Sequence, residues 1–183
     1  MSTVPQILTE RLCLRGHCEQ DHPAATAIWQ HPGVYTFITG AALSAQDVWM
    51  RLLRYGGLWD MLGYGYWAVE ERASGKYIGQ LGFADFKRGL PGFDGHYPEA
   101  GWVLHPDAAG KGYATEGMAA ACQWLDEQGG RERSFCIISA DNPRSVRVAA
   151  KIGYRFALTS TLGDEEIAVY FRDRTARRDT KDP

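Results

Sequence analysis

Between Glu99 and Ala140 the sequence runs strand, glycine turn, helix, strand, and no other stretch restricts the fold as much. "EAGWVLHP" (Glu99–Pro106) is an apolar run stopped by proline. "MAAACQWLDEQ" (Met118–Gln128) has the composition of a helix, and "SFCIISA" (Ser134–Ala140) is a second apolar strand. A strand, a helix and a strand in that order form a parallel βαβ unit. The connection into the helix, "HPDAAGKGYATEG" (His105–Gly117), carries Gly110, Gly112 and Gly117. A glycine-rich turn that feeds a helix N-terminus exposes backbone N–H groups at the positive end of a macrodipole. That arrangement binds anions, phosphates above all.

The flanking segments enclose this unit in a mixed sheet. "ILTERLCLR" (Ile7–Arg15) reads as a strand with Leu12 and Leu14 on one face. "DHPAATAIWQ" (Asp21–Gln30) and "SAQDVWMRLLRYG" (Ser44–Gly56) read as helices, the second capped by Ser44. "GYWAVEE" and "YIGQLGFADF" form a hairpin about the turn Arg72–Lys76, and "KRGLPGFDGHYP" (Lys87–Pro98) is a loop. After the βαβ unit, "NPRSVRVAAKIG" (Asn142–Gly153) is a short helix with Asn142 as cap and Pro143 at its first position. "YRFALTST" and "EEIAVYFR" close as a hairpin. The order is β, α, α, β, β, β, α, β, α, β, β, an α/β (α+β mixed) arrangement with helices on a sheet. A domain over residues 7–171 and a polar tail over 172–183 are expected.

Composition excludes several classes. The 183 residues carry 45% apolar residues and a net charge of -2, enough for one core and no basic field for nucleic acid. No apolar run approaches the ~20 residues of a membrane span, and the start "MSTVPQILTERL" lacks a signal pattern. Cys13, Cys18, Cys122 and Cys136 show no paired spacing, so free thiols and a cytoplasmic location are expected. The histidines are scattered, and no metal is expected. No partner beyond substrates is implied, and a monomer or a homodimer is equally compatible.

Two phosphate-binding patterns fail on the glycine turn. Gly110-Lys111-Gly112 lacks the Ser or Thr that follows lysine in a P-loop, and the first glycine is misplaced. The dinucleotide pattern G-x-G-x-x-G lacks its third glycine and the repeated βαβ array. The turn resembles instead the pyrophosphate loop of the GNAT superfamily of acetyl-CoA-dependent N-acetyltransferases, Gln/Arg-x-x-Gly-x-Gly/Ala. Its frame here ends in Gly110-Lys111-Gly112-Tyr113-Ala114, with Ala109 departing from the pattern. "GKGYATEG", "TERLCLR" and "DNPRSVRVAAKIGYR" are similar to the branch that acetylates ribosomal-protein N-termini, and the likeness spans Ile7 to Phe171.

The resemblance implies a central mixed, mostly antiparallel sheet whose one parallel strand pair is splayed, with flanking helices. It implies acetyl-CoA as co-substrate, held by the backbone of Gly110, Lys111, Gly112, Tyr113 and Ala114. Val103 and Leu104 would offer backbone groups to the pantetheine arm, with the Val103 N–H facing the carbonyl oxygen. Asn142 would touch the arm and Ser145 lie near the thiol, although a helix cap and a small first-turn residue explain the same two positions. Arg144 and Arg147 are expected to face solvent, and Glu116 to be structural.

The resemblance implies a primary amine as acceptor. At pH 7 a lysine amine costs about 4.6 kcal/mol to deprotonate and an α-amine about 1.4. A protein or peptide N-terminus therefore needs only a weak base. Glu99 is the candidate, acting directly or through water, and it shares a strand face with Gly101 and Val103. Gly101 is expected to leave space beside it. The tyrosine acid of many family members is replaced by Ala149, which leaves Ser145 or no acid at all. The acceptor pocket is expected among aromatic residues of 34–40 and 54–67, two stretches read together as a mobile, aromatic-walled cleft. Asp60, Asp85 and Asp94 are candidates to attract the amine. A small-molecule amine as acceptor, or a non-catalytic acyl-CoA-binding module, fits the same sequence.

Overall fold

The computed structural model describes residues 3–93 and 96–175. Its sheet has eight strands in the order β1-β2-β3-β4-β5-β6-β8-β7. They are β1 (Ile7–Leu8), β2 (Leu12–Arg15), β3 (Tyr66–Glu71), β4 (Lys76–Ala84), β5 (Glu99–Leu104), β6 (Arg133–Ser139), β7 (Arg155–Leu162) and β8 (Glu165–Asp173). The helices are α1 (His22–Trp29), α2 (Pro32–Tyr35), α3 (Ala45–Leu62), α4 (Tyr113–Gln128) and α5 (Pro143–Lys151). All neighbouring strands run antiparallel except β5 and β6, which are parallel and joined through α4. This is the mixed, mostly antiparallel sheet expected from the sequence.

Alternation along the strands sorts side chains into two layers. Leu12, Leu14, Trp67, Val69, Leu81 and Phe83 turn to one face and pack with Met118, Ala121 and Leu125 of α4. Gly117 lets α4 settle there, since a Cβ on it would stand 2.5 Å from Leu81 Cδ2. Tyr66 and Ala84 turn to the other face and pack with Ile28 and Trp29 of α1 and Val48, Leu52 and Tyr55 of α3. Over β6 and β8, Leu90 and Phe93 of the 87–98 loop cover Phe135, Ile167 and Val169.

Three expectations need correction. The segment Ile7–Arg15 is a tight hairpin and not one strand: β1 folds back on β2 with Ile7 opposite Leu14. Helix α3 continues past Gly56 to Leu62, so residues 54–62 are not a mobile cleft wall. Burial of Leu58 and Trp59 outweighs the helix penalty of Gly56 and Gly57, roughly 1 kcal/mol each. Tyr64, Tyr66 and Trp67 are buried as well. Finally, the polar tail begins later than residue 172. Strand β8 runs through Asp173, and Arg172 donates to both Asp126 oxygens at 2.8 and 2.6 Å. Residues 176–183 of the expected tail lie outside the described residues. No helix among the described residues is long and apolar enough to cross a membrane.

Candidate active site

The glycine turn sits between a single 3₁₀ turn (Pro106–Ala108) and α4. Gly110 and Gly112 have φ of 77° and 82°, a region closed to most side chains. A Cβ on Gly110 would meet nothing within 4 Å, so the space above the loop is open. Gly112 is the N-cap of α4 and offers no side-chain cap. The first-turn N–H groups of a 16-residue helix are therefore left to an outside acceptor. Lys111 is exposed beside them. The Tyr113 side chain turns away and donates to Glu71 Oε1 at 2.6 Å, so only its backbone belongs to the loop.

Glu116 holds this loop from behind. It accepts from Thr9 Oγ1 at 2.6 Å and from the Arg11 backbone N–H at 2.9 Å. Arg11 pairs with it at 2.6 Å and donates to the Lys111 carbonyl at 2.8 Å. Glu116 is structural, as the sequence suggested. The bracing role of Arg11 has no local sequence signal, because its partners lie about a hundred residues away.

Beyond the loop, β5 and β6 separate. They are bridged at Glu99↔Phe135, where the Phe135 N–H donates to the Pro98 carbonyl at 3.0 Å. On its other edge β5 pairs with β4 from Glu99 to Leu104, and the His105 N–H donates to the Ile78 carbonyl at 2.8 Å. The N–H and C=O of one residue share an edge, and successive residues alternate. Pro98 thus directs even-numbered residues toward β6, and His105 directs odd-numbered ones toward β4. Trp102 and Leu104 present backbone groups to the gap. Val103 is turned to β4 opposite Gln80, which corrects the expectation that its backbone faces the gap. Trp102 is the residue the sequence reading missed, for want of a fixed strand register.

Glu99 lies at the foot of this gap, 5% exposed. Arg88 clasps it, with Nε 2.7 Å from Oε2 and Nη2 3.0 Å from Oε1. Burial raises its pKa above the ordinary carboxylate value, and the Arg88 pairing pulls against that. The space at Gly101 is not empty. A Cβ there would stand 2.0 Å from the Tyr66 hydroxyl oxygen, so glycine admits a phenol beside the carboxylate. Burial, with Tyr55 and Glu99 nearby, holds Tyr66 well above its usual pKa and neutral. Asp85 is paired with Lys87. Asp60 has partners of its own, and Asp94 lies outside the described residues.

A cavity of about 350 Å³ runs from the β5–β6 gap to Glu99. Glu99, Gly101 and Val103 line it on β5, and Ile137 and Ser139 on β6. Asn142 and Ser145 line it at the start of α5, where Asn142 Oδ1 accepts from the Ser145 N–H at 3.1 Å. The cap and the cavity position of Asn142 coexist. Arg144 and Arg147 are exposed, and Ala149 is buried in the core. Phe37 and Ile38, which are exposed, and Trp29 and Tyr55, which are buried, line it as well. Of the expected aromatic cleft, Phe37 of the 34–40 segment and Tyr55 and Tyr66 of the 54–67 segment line the cavity.

An uncapped glycine-loop helix, a splayed strand pair and a cavity ending on a buried carboxylate suit a long anionic thioester and a second substrate. Comparison with known proteins agrees. The model of the acetyltransferase (GNAT) domain matches residues 11–155. The protein YkkB of Bacillus subtilis is 30% identical over 94% of this chain and 98% of its own. A Bordetella pertussis protein assigned to the GNAT-family acetyltransferases superposes with a TM-score of 0.81 at 28% identity, over 92% of this chain and 99% of that one. AAC(6')-Ib, solved with paromomycin and acetyl-CoA, shares the fold with a TM-score of 0.74 at 18% identity, over 94% and 99% of the two chains. With the domain match covering most of its length and the fold in register with it, the chain belongs to the GNAT acetyltransferase family.

Proposed function

We propose that this protein transfers an acetyl group from acetyl-CoA to the α-amine of a peptide or small molecule, by direct attack while both substrates are bound. The observation that carries this reading is the continuous cavity from the β5–β6 gap to Glu99. The residues present suit acetyl-CoA. The uncapped first turn of α4 and the loop Gly110–Ala114 hold the pyrophosphate, with Lys111 alongside. Trp102 and Leu104 pair with the pantetheine amides as one strand edge pairs with another. Bound acetyl-CoA supplies an activated acyl carbonyl and a thiolate leaving group.

The chain's own groups manage the protons. Glu99 takes the proton that the amine sheds, directly or through one water, as the C–N bond forms and the C–S bond breaks. Its raised pKa makes it a better base than an exposed carboxylate. An N–H of Trp102 or Leu104 steadies the charge that builds on the carbonyl oxygen. Ser145 or solvent returns a proton to the thiolate. Thiol release from acetyl-CoA with a broad amine panel, alongside calorimetry of acetyl-CoA binding, tests the proposal. Binding without turnover of any amine leaves an acyl-CoA-binding module; no binding removes the reading altogether.

A further inference from the structure

The acceptor end of the cavity is walled by guanidinium groups. Arg51 of α3 lies over the Trp29 ring, 4.2 Å from its centroid, and both residues line the cavity. Arg54, one turn on, and Arg88 lie against the Phe86 ring at 5.1 and 4.7 Å. The Arg88 charge is met by Glu99. Among the described residues, no carboxylate comes within ion-pair distance of Arg51 or Arg54. Two N–H donors are also buried there without an acceptor: Arg51 Nε, and Nε1 of Trp29, a residue only 1% exposed. Buried donors left unpaired are costly, so folded proteins rarely keep them without a use. Arg54 is exposed and stands outside the cavity lining, and desolvation together with the neighbouring Arg51 and Arg88 lowers its pKa, so positive charge gathers around the Arg51 wall. Glu165, at the start of β8, also lines the cavity.

We infer that the acceptor is a primary amine that also bears a carboxylate, which Arg51 and the Trp29 N–H receive while the amine lies toward Glu99. The inference rests on the acetyltransferase reading above and narrows its substrate. A planar guanidinium with a free Nε edge matches a carboxylate in two-point geometry. A polycationic amine meets the Arg51 charge, which no carboxylate among the described residues offsets, and is disfavoured. The carboxylate has two sources, the α-carboxylate of a free amino acid or an acidic side chain next to a peptide N-terminus.

Matched pairs separate them. Alanine against alaninamide tests the first source, and Ala-Glu-amide against Ala-Gln-amide the second, with spermidine as the polycation. Each is titrated by calorimetry into the protein saturated with CoA, and each is assayed for acetylation with acetyl-CoA. In at least one pair the carboxylate member should bind about tenfold tighter or more, and the advantage should shrink with added salt. Arg51→Gln should bring that ratio to within about threefold, and Arg51→Lys should keep part of it. Equal binding in both pairs, tighter binding of spermidine, or a preference untouched by Arg51→Gln would overturn the inference. The wild-type comparison decides alone if the variant does not fold. Acetylation of the amides with no carboxylate preference sinks this inference and leaves the acetyltransferase reading intact. Failure to bind acetyl-CoA removes both.

Discussion

Arg88 and Glu99 meet through two hydrogen bonds, at 2.7 and 3.0 Å, in a carboxylate site almost closed to water. Each Glu99 oxygen keeps a lone pair beyond the one that Arg88 occupies, so the group is fixed in direction without being exhausted as an acceptor. Glu99→Gln keeps the shape and removes the basicity. The acetylation rate should fall by about 10², with acetyl-CoA affinity unchanged. The loss should shrink as pH passes the pKa of the acceptor amine, near 8 for an α-amine and about 10.4 for lysine, so the profile also reports the acceptor class. Full activity of the variant from pH 6 to 9 would reduce Glu99 to a structural partner of Arg88.

The positive φ of Gly112, together with the Arg11 Nη2 at 3.4 Å from the position of a Cβ, makes this the least tolerant point of the loop. Gly112→Val should weaken acetyl-CoA binding by about tenfold or more, some 1.4 kcal/mol, in a protein that still unfolds cooperatively. Calorimetry that finds the affinity unchanged would take the pyrophosphate away from this turn.

His17 is buried beside Tyr55, with ring centroids 5.2 Å apart, and neither of its ring nitrogens has a hydrogen-bond partner. Burial lowers its pKa to about 4, with Asp21 opposing and Arg15 assisting. The unfolded chain takes up this proton near pH 6.5, the folded protein only near 4, so folding stability falls as pH drops across that window. The loss at its lower end is on the order of 3 kcal/mol. In urea unfolding at a series of pH values, His17→Phe should flatten the slope between pH 6.5 and 4. An unchanged slope would place the titration elsewhere.

Arg172 and Asp126 are each about 10% exposed and joined at 2.6 Å. Breaking a buried pair from one side leaves a charge without compensation. Arg172→Met should therefore cost about 3 kcal/mol, and adding Asp126→Leu should restore much of it. Equilibrium unfolding of the single and double variants tests this, and additive losses would refute the coupling.

What the sequence disclosed was local chemistry. Proline at the end of β5, the glycines of the turn and the Asn142-Pro143 start of α5 each have a short-range signature, and those elements lie where that signature puts them. The errors arose where distant packing overrules propensity. Gly56 and Gly57 looked like an end to α3, yet Leu58 and Trp59 carry the helix on by burying themselves against β3 and its neighbours. Thr9 and Arg11 looked like strand residues, but their bonds to Glu116 recruit them as a turn. Of the candidate site, the sequence pointed to the glycine turn and to Glu99, whose positions in the fold are the ones its local signatures indicate. Arg88 and Arg51 were not legible in it, because each reaches the cavity from an element whose approach no spacing encodes. Val103 was misjudged for a simpler reason: on a strand edge, one residue of register exchanges inside for outside.

The single bridge between β5 and β6 has a mechanical consequence. Each half of the sheet is stitched along its own length, but the seam between the halves is held by one rung at Glu99 and Phe135. A ligand lying in the seam completes the row of rungs and acts as a keystone. The amide hydrogens of Trp102 and Leu104 should exchange with solvent quickly in the free protein and slowly with acetyl-CoA present, whereas that of Val103, already bonded within the stitched half, should change little. The protein would then gain stiffness across its middle only while it holds the molecule it acts on.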